Sequence, residues 1–598
     1  MSYKAPLRDI AFVLHELFDI ESHYRNILGN NAPDKDLVSA IIEECARFCE
    51  EQLAPLNAVG DREGCRLEGE SVVTPSGFKQ AYQNYKDNGW PALSGPIEFG
   101  GQGLPDSLRY ITTEMTISAN HAWSNYPGLT GGAITTLLRH GDSRRKAQFL
   151  PKMISGDWSG TMCLTEPQCG SDLGLIRTSA IHDDESDDSR CYLITGAKLF
   201  ISSGEHDLTE NIVHIVLARI AGAPKGTKGL SLFLVPKYLV DENGGIGRRN
   251  RLSCGAVESK MGLHGNATCA MNFDGAVGYL IGDANSGLQA MFSYINESRL
   301  GVALHGHCHT EVSYQNAREY AKQRLQMKAA HRTDSASARD ADPIIQHPDV
   351  RRMLMTQKAF AEGGRMLNYF CTLQIDKSQS QHLDETAKEE AEKLLAVLTP
   401  IAKGFLSEVS LETTNYGIQV FGGHGYIADN GQEQEFRDAR ITTIYEGTTA
   451  IQGLDLLGRK IFSTNGAILQ PLQRRIGQFI AANANNNYAE MLEEHVREWN
   501  ALTRWIGAAS ARDADEVNAA AVEYILYSGY VVLAYFWAQA AVIADRQLTG
   551  VADDDAFYRA KKITCDFYFR RLMPRTLTLA AAIKSGASAL MVLSESDF

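Results

Sequence analysis

Apolar residues in the first 160 positions recur at helical spacing. Leu37, Val38, Ile41, Ile42, Cys45, Phe48 and Cys49 lie three and four apart, which predicts a helix capped by Asp34 or Asp36 and ended by Pro55. The segment FGGQGLPD (99–106) breaks the pattern, because its glycines and proline favour a turn. From about 161 to 290 the period changes. CYLIT (191–195), NIVHIVLA (211–218) and LSLFLVP (230–236) are short, β-branched or aromatic runs bounded by Gly, Pro and charge, which predicts strands. The acidic DDESDD (183–188) reads as an exposed loop between an earlier strand candidate and CYLIT. Helical spacing returns near Leu288 and lasts to the end, with polar stretches at 329–343 and 375–388 read as surface connections. The alanine-rich block after Ser463 reads as an extra helical domain. The expected fold is therefore α+β and mostly helical. Its parts are an N-terminal helical domain with a short extension (1–160), a β domain (161–290), a second helical bundle (291–462) and a helical C-terminal extension (463–598).

A chain of 598 residues is too long for one core. Its net charge of −14 argues against a polyanion as a general partner, so no nucleic acid is expected. The eleven cysteines are scattered without a CxxC pair, and MSYKAPLRDIAFVLHEL holds no secretory apolar stretch; both point to reduced thiols in a cytoplasmic protein. Residues 524–544 (YILYSGYVVLAYFWAQAAVIA) are long and apolar enough to cross a bilayer. Their flanks are mixed in charge, so a helix buried in a bundle is the favoured reading and membrane association the disfavoured one.

Three motifs carry chemistry. MCLTEPQCGSD (162–172) opens the β region with a turn of Gly and small polar residues, able to offer N–H groups and hydroxyls to an acceptor-rich ligand. KLFISSG (198–204) places an aromatic ring and hydroxyls on a strand. In the second helical block, FGGHGY (421–426) is a glycine turn through which backbone can approach a phosphate, and RDARITTIYEGTTAIQ (437–452) holds a carboxylate beside a glycine. No GxGxxG occurs, so a Rossmann dinucleotide site is not indicated.

In this order and on this helix–strand–helix background, the motifs resemble the acyl-CoA dehydrogenase superfamily over roughly 35–462. The opening segment and the C-terminal block resemble the large bacterial branch that includes 3-methylthiopropanoyl-CoA dehydrogenases. The resemblance implies a fatty-acid-metabolism flavoprotein that binds FAD between the β domain and the second helical domain. It would convert an acyl-CoA thioester to the trans-2-enoyl-CoA. It also implies Glu446 as the base for the α-proton, with its N–H helping to hold the thioester carbonyl and the β-hydrogen leaving as hydride to the flavin. A carboxylate lodged among Ile444, Tyr445 and Gly447 would be partly desolvated, raising its pKa toward neutrality. By the same resemblance, Met162, Leu164 and Thr165 touch the flavin ring and Gly170 and Ser171 its phosphates. Phe200, Ile201 and Ser202 stack on and bond the flavin, and Thr448 binds it. Arg324, Gln419, Gly422 and Gly423 hold the adenine end of a flavin bound mainly to a neighbouring subunit. Ser171, Asn296 and Arg299 contact substrate. An electron-transferring flavoprotein as acceptor and a homodimer or homotetramer follow from the family.

The sequence departs from the family's pattern at two places. Phe200-Ile201-Ser202 stands where members often have Trp-Ile-Thr, and RLQMK (324–328) where many have Arg-x-x-Phe-Gly. Some relatives carry the base at the position of Ser298; here Glu297 is its neighbour, pointing about a hundred degrees away on a helix. In HGHCH (305–309), His305 and His309 share a helix face, but no third ligand is suggested and no metal is assigned. Two other functions fit the same fold: an acyl-CoA oxidase, distinguished by peroxide production, and a flavoprotein recruited to nucleic acid, which would need a basic face that 463–598 lacks.

Overall fold

A computed structural model describes residues 3–241, 244–331, 340–549 and 554–598. They form two compact units, 44–301 and 3–43 together with 302–598.

In the first unit three helices, α1 (Asp106–Ala119), α2 (His121–His140) and α3 (Ser143–Ile154), precede a seven-stranded sheet. Its strands are β1 (Trp158–Cys163), β2 (Ser179–His182), β3 (Cys191–Ser202), β4 (Asn211–Ile220), β5 (Leu230–Pro236), β6 (Leu252–Val257) and β7 (Thr268–Ile281). They pair in the order β6-β7-β3-β2-β4-β1, with β5 bridging β7 and β4. The β1–β4 and β2–β4 pairs are parallel and the rest antiparallel. The three apolar runs predicted as strands lie in β3, β4 and β5, and DDESDD falls in the loop after β2. Side chains alternate faces along a strand. Val213, Ile215, Leu217, Leu230, Leu232 and Leu234 pack with Ala133, Leu137, Phe149 and Met153 of α2 and α3. On the opposite face Val216, Ala218, Phe233 and Val235 pack with Ile194, Ile201 and Met271. Burial on both faces explains why β4 and β5 are continuously apolar rather than alternating.

Two expectations near the N-terminus are corrected. Asp34 does cap the helix Lys35–Phe48, its carboxylate accepting from the Leu37 N–H at 2.8 Å, but Leu37 itself is 46% exposed and stands off the buried face. Pro55 does not end the helix. A π-turn at Cys49–Leu53 leads into a further helix, Ala54–Glu63, and Pro55 sits in its first turn, where a missing N–H removes no hydrogen bond.

The second unit is helical. Its long members are α4 (Gly287–Gln323, from Val302 onward), α5 (Pro348–Gln379), α6 (Glu385–Phe421), α8 (Asn487–Ser510), α9 (Asp515–Thr549) and α10 (Asp555–Phe567); the short α7 (Thr449–Leu454) follows Glu446. Helices α6 and α9 are each long and apolar enough to cross a membrane, and most of each apolar window is buried inside the protein. They cross closely where a Cβ on Gly529 would lie 2.2 Å from the Phe405 ring, so glycine is what lets the backbones meet. Segment 524–544 is thus an interior helix of the bundle. The reading of 375–388 as a surface connection fails for 375–379, which belong to α5, and for 385–388, which belong to α6; Asp376 is buried in α5 against His23 at 3.0 Å. Residues 332–339, predicted as part of another connection, lie outside the described residues. At the edge of that stretch Asp342 is buried and accepts from the Ala329 N–H at 2.8 Å.

Candidate active site

The turn after β1 is held from beneath. Glu166 is buried, and its carboxylate accepts from the Arg177 N–H at 2.7 Å, the Thr178 hydroxyl at 2.6 Å, the Thr178 N–H at 3.1 Å and Lys198 Nζ at 2.8 Å. Lys198, fully buried on β3, also donates to the Leu164 carbonyl at 3.1 Å, and the Leu199 N–H reaches the Thr165 carbonyl at 2.9 Å. This ion pair therefore pins the loop 164–172 to the strand that carries Phe200. Burial alone would push the Glu166 carboxyl up; the Lys198 charge and the hydrogen bonds from Lys198, Thr178 and Arg177 outweigh it and hold the group down at about 2.

The sign of the pH dependence follows. A carboxyl depressed in the folded state contributes stability above its ordinary value near 4.5, and that contribution disappears as pH falls through about 2. The melting difference between the native chain and Glu166→Gln should be largest at neutral pH and shrink below pH ~4.5. Flavin fluorescence released on heating would measure it; a difference constant with pH would refute it.

On this scaffold the predicted flavin-side residues take distinct positions. Met162, Leu164, Thr165 and Ser202 are half-buried, Gly170 and Ser171 are exposed, and Ile201 is buried in the core. Phe200 stands 61% exposed on a strand at φ 59°, in the left-handed region. A bulky residue there costs about 1–2 kcal/mol, and it sits where the β3–β7 register is irregular, between the Lys198–Met271 and Ile201–Cys269 pairs.

Asn296 and Arg299 lie in the first half of α4, Asn296 exposed and Arg299 buried. Glu297 is ion-paired with Arg109 at 3.0 Å, and Arg109 also holds Asp106 at 3.1 Å. Burial opposes the Arg109 charge, but Glu297 and Asp106 outweigh it and raise its pKa.

In the helical unit, Glu446 precedes α7 in a left-handed turn, with φ 56° at Glu446 and 91° at Gly447. Thr448 caps α7, its hydroxyl accepting from the Ile451 N–H at 3.4 Å. Gln452 Nε2 donates to the carbonyls of Glu446 at 2.9 Å and Gly447 at 3.3 Å, and Lys403 Nζ donates to the Gly447 carbonyl at 2.5 Å. A Cβ on residue 447 would sit 2.7 Å from Gln452 Nε2, so the clamp requires glycine there. Glu446 is half-buried and Ile444 is 48% exposed. The preceding Tyr445 hydroxyl lies 2.6 Å from His305 Nδ1. Burial, then the nearby Glu446 and Asp438 charges, drive the Tyr445 pKa well above the ordinary range. Burial, then His309, brings that of His305 down to about 3, so His305 is neutral at physiological pH. His309 pairs with Glu435 at 2.8 Å, and among the described residues no group of three His, Cys, Asp or Glu is placed to hold a metal.

At the far end of α6, Gln419, Gly422 and Gly423 are exposed, and a Cβ on either glycine would meet nothing within 4 Å. Tyr320 of α4 stacks on Phe421 with centroids 4.0 Å apart, and Arg324 follows one turn on, also exposed. An open glycine turn beside an exposed arginine suits a phosphate or adenine group, and Phe200 with the exposed Gly170-Ser171 turn suits a flat ring with a polar tail. Both features fit FAD.

Sequence reasoning assigned no role to Glu166, Lys198, Lys403 or Gln452. The signal for Lys403 was present: one basic residue inside the apolar run LLAVLTPIAKGFL (394–406).

Comparison with known proteins agrees with this arrangement. Residues 36–157, 161–276 and 285–461 match the N-terminal, middle and C-terminal domains of acyl-CoA dehydrogenase, and 472–594 match a domain described as acetyl-CoA dehydrogenase C-terminal like. The chain is 40% identical to a 3-methylmercaptopropionyl-CoA dehydrogenase of Ruegeria pomeroyi, over 96% of each protein. It is 32% identical to a broad-specificity linear acyl-CoA dehydrogenase of Mycobacterium tuberculosis over the whole of both. The crystal structure of an acyl-CoA dehydrogenase complexed with FAD from Bacillus anthracis superposes with a TM-score of 0.74 at 19% identity, covering 97% of this chain and 92% of that one, a likeness of fold. The chain belongs to the acyl-CoA dehydrogenase family, flavoprotein oxidoreductases that act on CH–CH bonds of acyl-CoA thioesters with FAD as cofactor.

Proposed function

We propose that Glu446 is the base that removes the α-proton of the acyl-CoA. The observation that carries this reading is the turn itself: a carboxylate in a left-handed conformation next to a glycine, with both of their carbonyls tied down by buried donors. Strain of this kind concentrates where position matters to function. When bound, FAD supplies the acceptor for the β-hydrogen, which leaves as hydride. The chain's own residues do the rest. Glu446 takes the α-proton, and its N–H offers a donor to the thioester oxygen, where negative charge develops as the proton leaves. Gly447 leaves room for a thioester to reach the backbone. The loop 164–172 and Phe200 hold the flavin ring, Ser202 and Thr448 bond it, and Gly170 and Ser171 face its phosphates. Ser171 and Asn296 are exposed and available to the CoA portion; Arg299, buried on α4, is assigned to the same portion.

The exposed Gln419, Gly422, Gly423 and Arg324 support a flavin shared with a second copy, hence a homodimer or homotetramer, although RLQMK replaces part of the family pattern there. We take an electron-transferring flavoprotein as acceptor, a cytoplasmic location, and the four-part division 1–160, 161–290, 291–462 and 463–598. The relative from Ruegeria makes short thioether acyl-CoAs the first substrates to try. Anaerobic titration with a panel of acyl-CoA thioesters should bleach the visible flavin band with one class. A flavin that stays oxidised with every thioester would overturn the reaction assigned. Stoichiometric peroxide under air would favour an oxidase instead.

A further inference from the structure

The turn that presents Glu446 does not hold itself. Its two residues occupy the left-handed region, and the adjoining helix α7 is only six residues long. Its hydroxyl cap, Thr448 to the Ile451 N–H, is long at 3.4 Å. What fixes the turn comes from side chains. Lys403 is fully buried on α6, forty-four residues earlier, and donates to the Gly447 carbonyl at 2.5 Å. Gln452 is fully buried on α7 and spans both carbonyls with one amide nitrogen. Burying a lysine and an amide is costly unless they are used, and here Lys403 donates to the Gly447 carbonyl and Gln452 to both carbonyls.

We infer that Lys403 and Gln452 are positioning residues for the base, an inference that rests on the reading of Glu446 given above. The Gly447 carbonyl, held from two sides, fixes the 447–448 peptide plane, and the Glu446 carbonyl, held by Gln452, fixes the 446–447 plane. With φ and ψ of Glu446 set, the direction of its Cα–Cβ bond is set too, and so is the direction of its N–H. The carboxylate that takes the proton and the donor that receives the developing charge are thereby oriented together. Loss of either clamp frees the turn to relax toward φ values that a glutamate prefers, swinging the carboxylate away from its working position. Displacement of a reacting group by about 1 Å can cost ~100-fold in rate without removing any group that touches substrate. The His305–Tyr445 contact buttresses the residue before Glu446 from α4 and belongs to the same support.

Lys403→Met and Gln452→Met preserve approximate volume and remove the donors. The test uses the full-length FAD-loaded protein, with two readouts. One is the anaerobic rate of flavin reduction by saturating acyl-CoA. The other is the long-wavelength charge-transfer band formed with a 3-thia-acyl-CoA, whose α-carbon can be deprotonated but which does not go on to lose hydride. Each variant is expected to lower the reduction rate ~10–100-fold and weaken the band, while flavin content stays normal and acyl-CoA affinity changes less than about 3-fold. Lys403→Arg, which retains a donor, should recover part of the loss. Rates within about 2-fold of the native enzyme in both Met variants would overturn the inference. So would a loss of rate that tracks a loss of bound flavin or of acyl-CoA affinity, since that would mark ordinary structural damage. If Lys403→Met does not fold, Gln452→Met decides alone. Glu446→Gln run alongside separates the two readings: if it keeps rate and band, the base is elsewhere and the inference falls with it; if it loses both while the Met variants do not, only the clamp is refuted.

Discussion

Glu446→Gln should retain FAD and bind acyl-CoA, yet reduce its flavin ~10³–10⁴-fold more slowly than the native enzyme. The estimate is the upper part of the range for removing a general base. The backbone contacts from Gln452 and Lys403 are kept, because they go to carbonyls and not to the side chain. The loss should therefore fall on the reduction step and leave the dissociation constant of the thioester nearly unchanged, a pattern that marks an interaction used in the transition state. Stopped-flow absorbance under anaerobic conditions resolves the two. Glu297→Gln is the matching control. Its carboxylate is engaged by Arg109 in an ion pair at 3.0 Å. That variant should keep the reduction rate within a few-fold. If Glu446→Gln reduces at near-native rate and Glu297→Gln does not, the assignment is reversed.

The parts of this protein that the sequence made legible are those whose signal is local. β3, β4 and β5 were readable because β-branched and aromatic residues cluster in short runs between turn residues, and the interior helix 524–544 because it is apolar all round. The glycine turns, the exposed acidic loop and Glu446 were also visible as patterns within ten residues. What stayed hidden depends on residues brought together by the fold. Pro55 looked like a terminator because a π-turn cannot be foreseen from spacing alone. Phe200 was recognised as an aromatic on a strand, but its left-handed backbone sits at an irregularity in the β3–β7 pairing, between the Lys198–Met271 and Ile201–Cys269 pairs, and depends on a strand some seventy residues later. The clamp on Glu446 comes from another helix for the same reason. In each case the motif names the chemical group and the long-range contact sets its geometry.

Lys561→Met should destabilise the helical unit by roughly 3–5 kcal/mol, the usual cost of breaking a buried ion pair from one side. Lys561 is buried on α10, in the C-terminal extension, and reaches Asp9 of the N-terminal helix Leu7–Ala11 and, at 2.8 Å, Glu362 of α5. Asp9 is held in turn by Arg365, which binds Glu311 of α4 at 2.9 Å, and Glu362 is also held by Lys358. Three acids thus face three bases among elements drawn from both ends of the chain. Burial would raise the Asp9 pKa, but Lys561 and Arg365 outweigh it and keep the group well below the ordinary carboxylate range, so it is ionised at neutral pH. Without Lys561, Asp9 stays ionised with Arg365 as its remaining partner and Glu362 is left with Lys358, so three buried acids face two bases. The damage should therefore appear first as faster amide exchange in 7–11 and 555–567, and as easier proteolysis of the extension, before the flavin is released. Replacing Asp9 as well, in Asp9→Asn with Lys561→Met, should recover part of the stability, because the uncompensated charge is then gone. That recovery separates an electrostatic bolt from simple loss of packing: a double variant no more stable than Lys561→Met would show that the methylene stem, rather than the charge, joins the extension to the bundle.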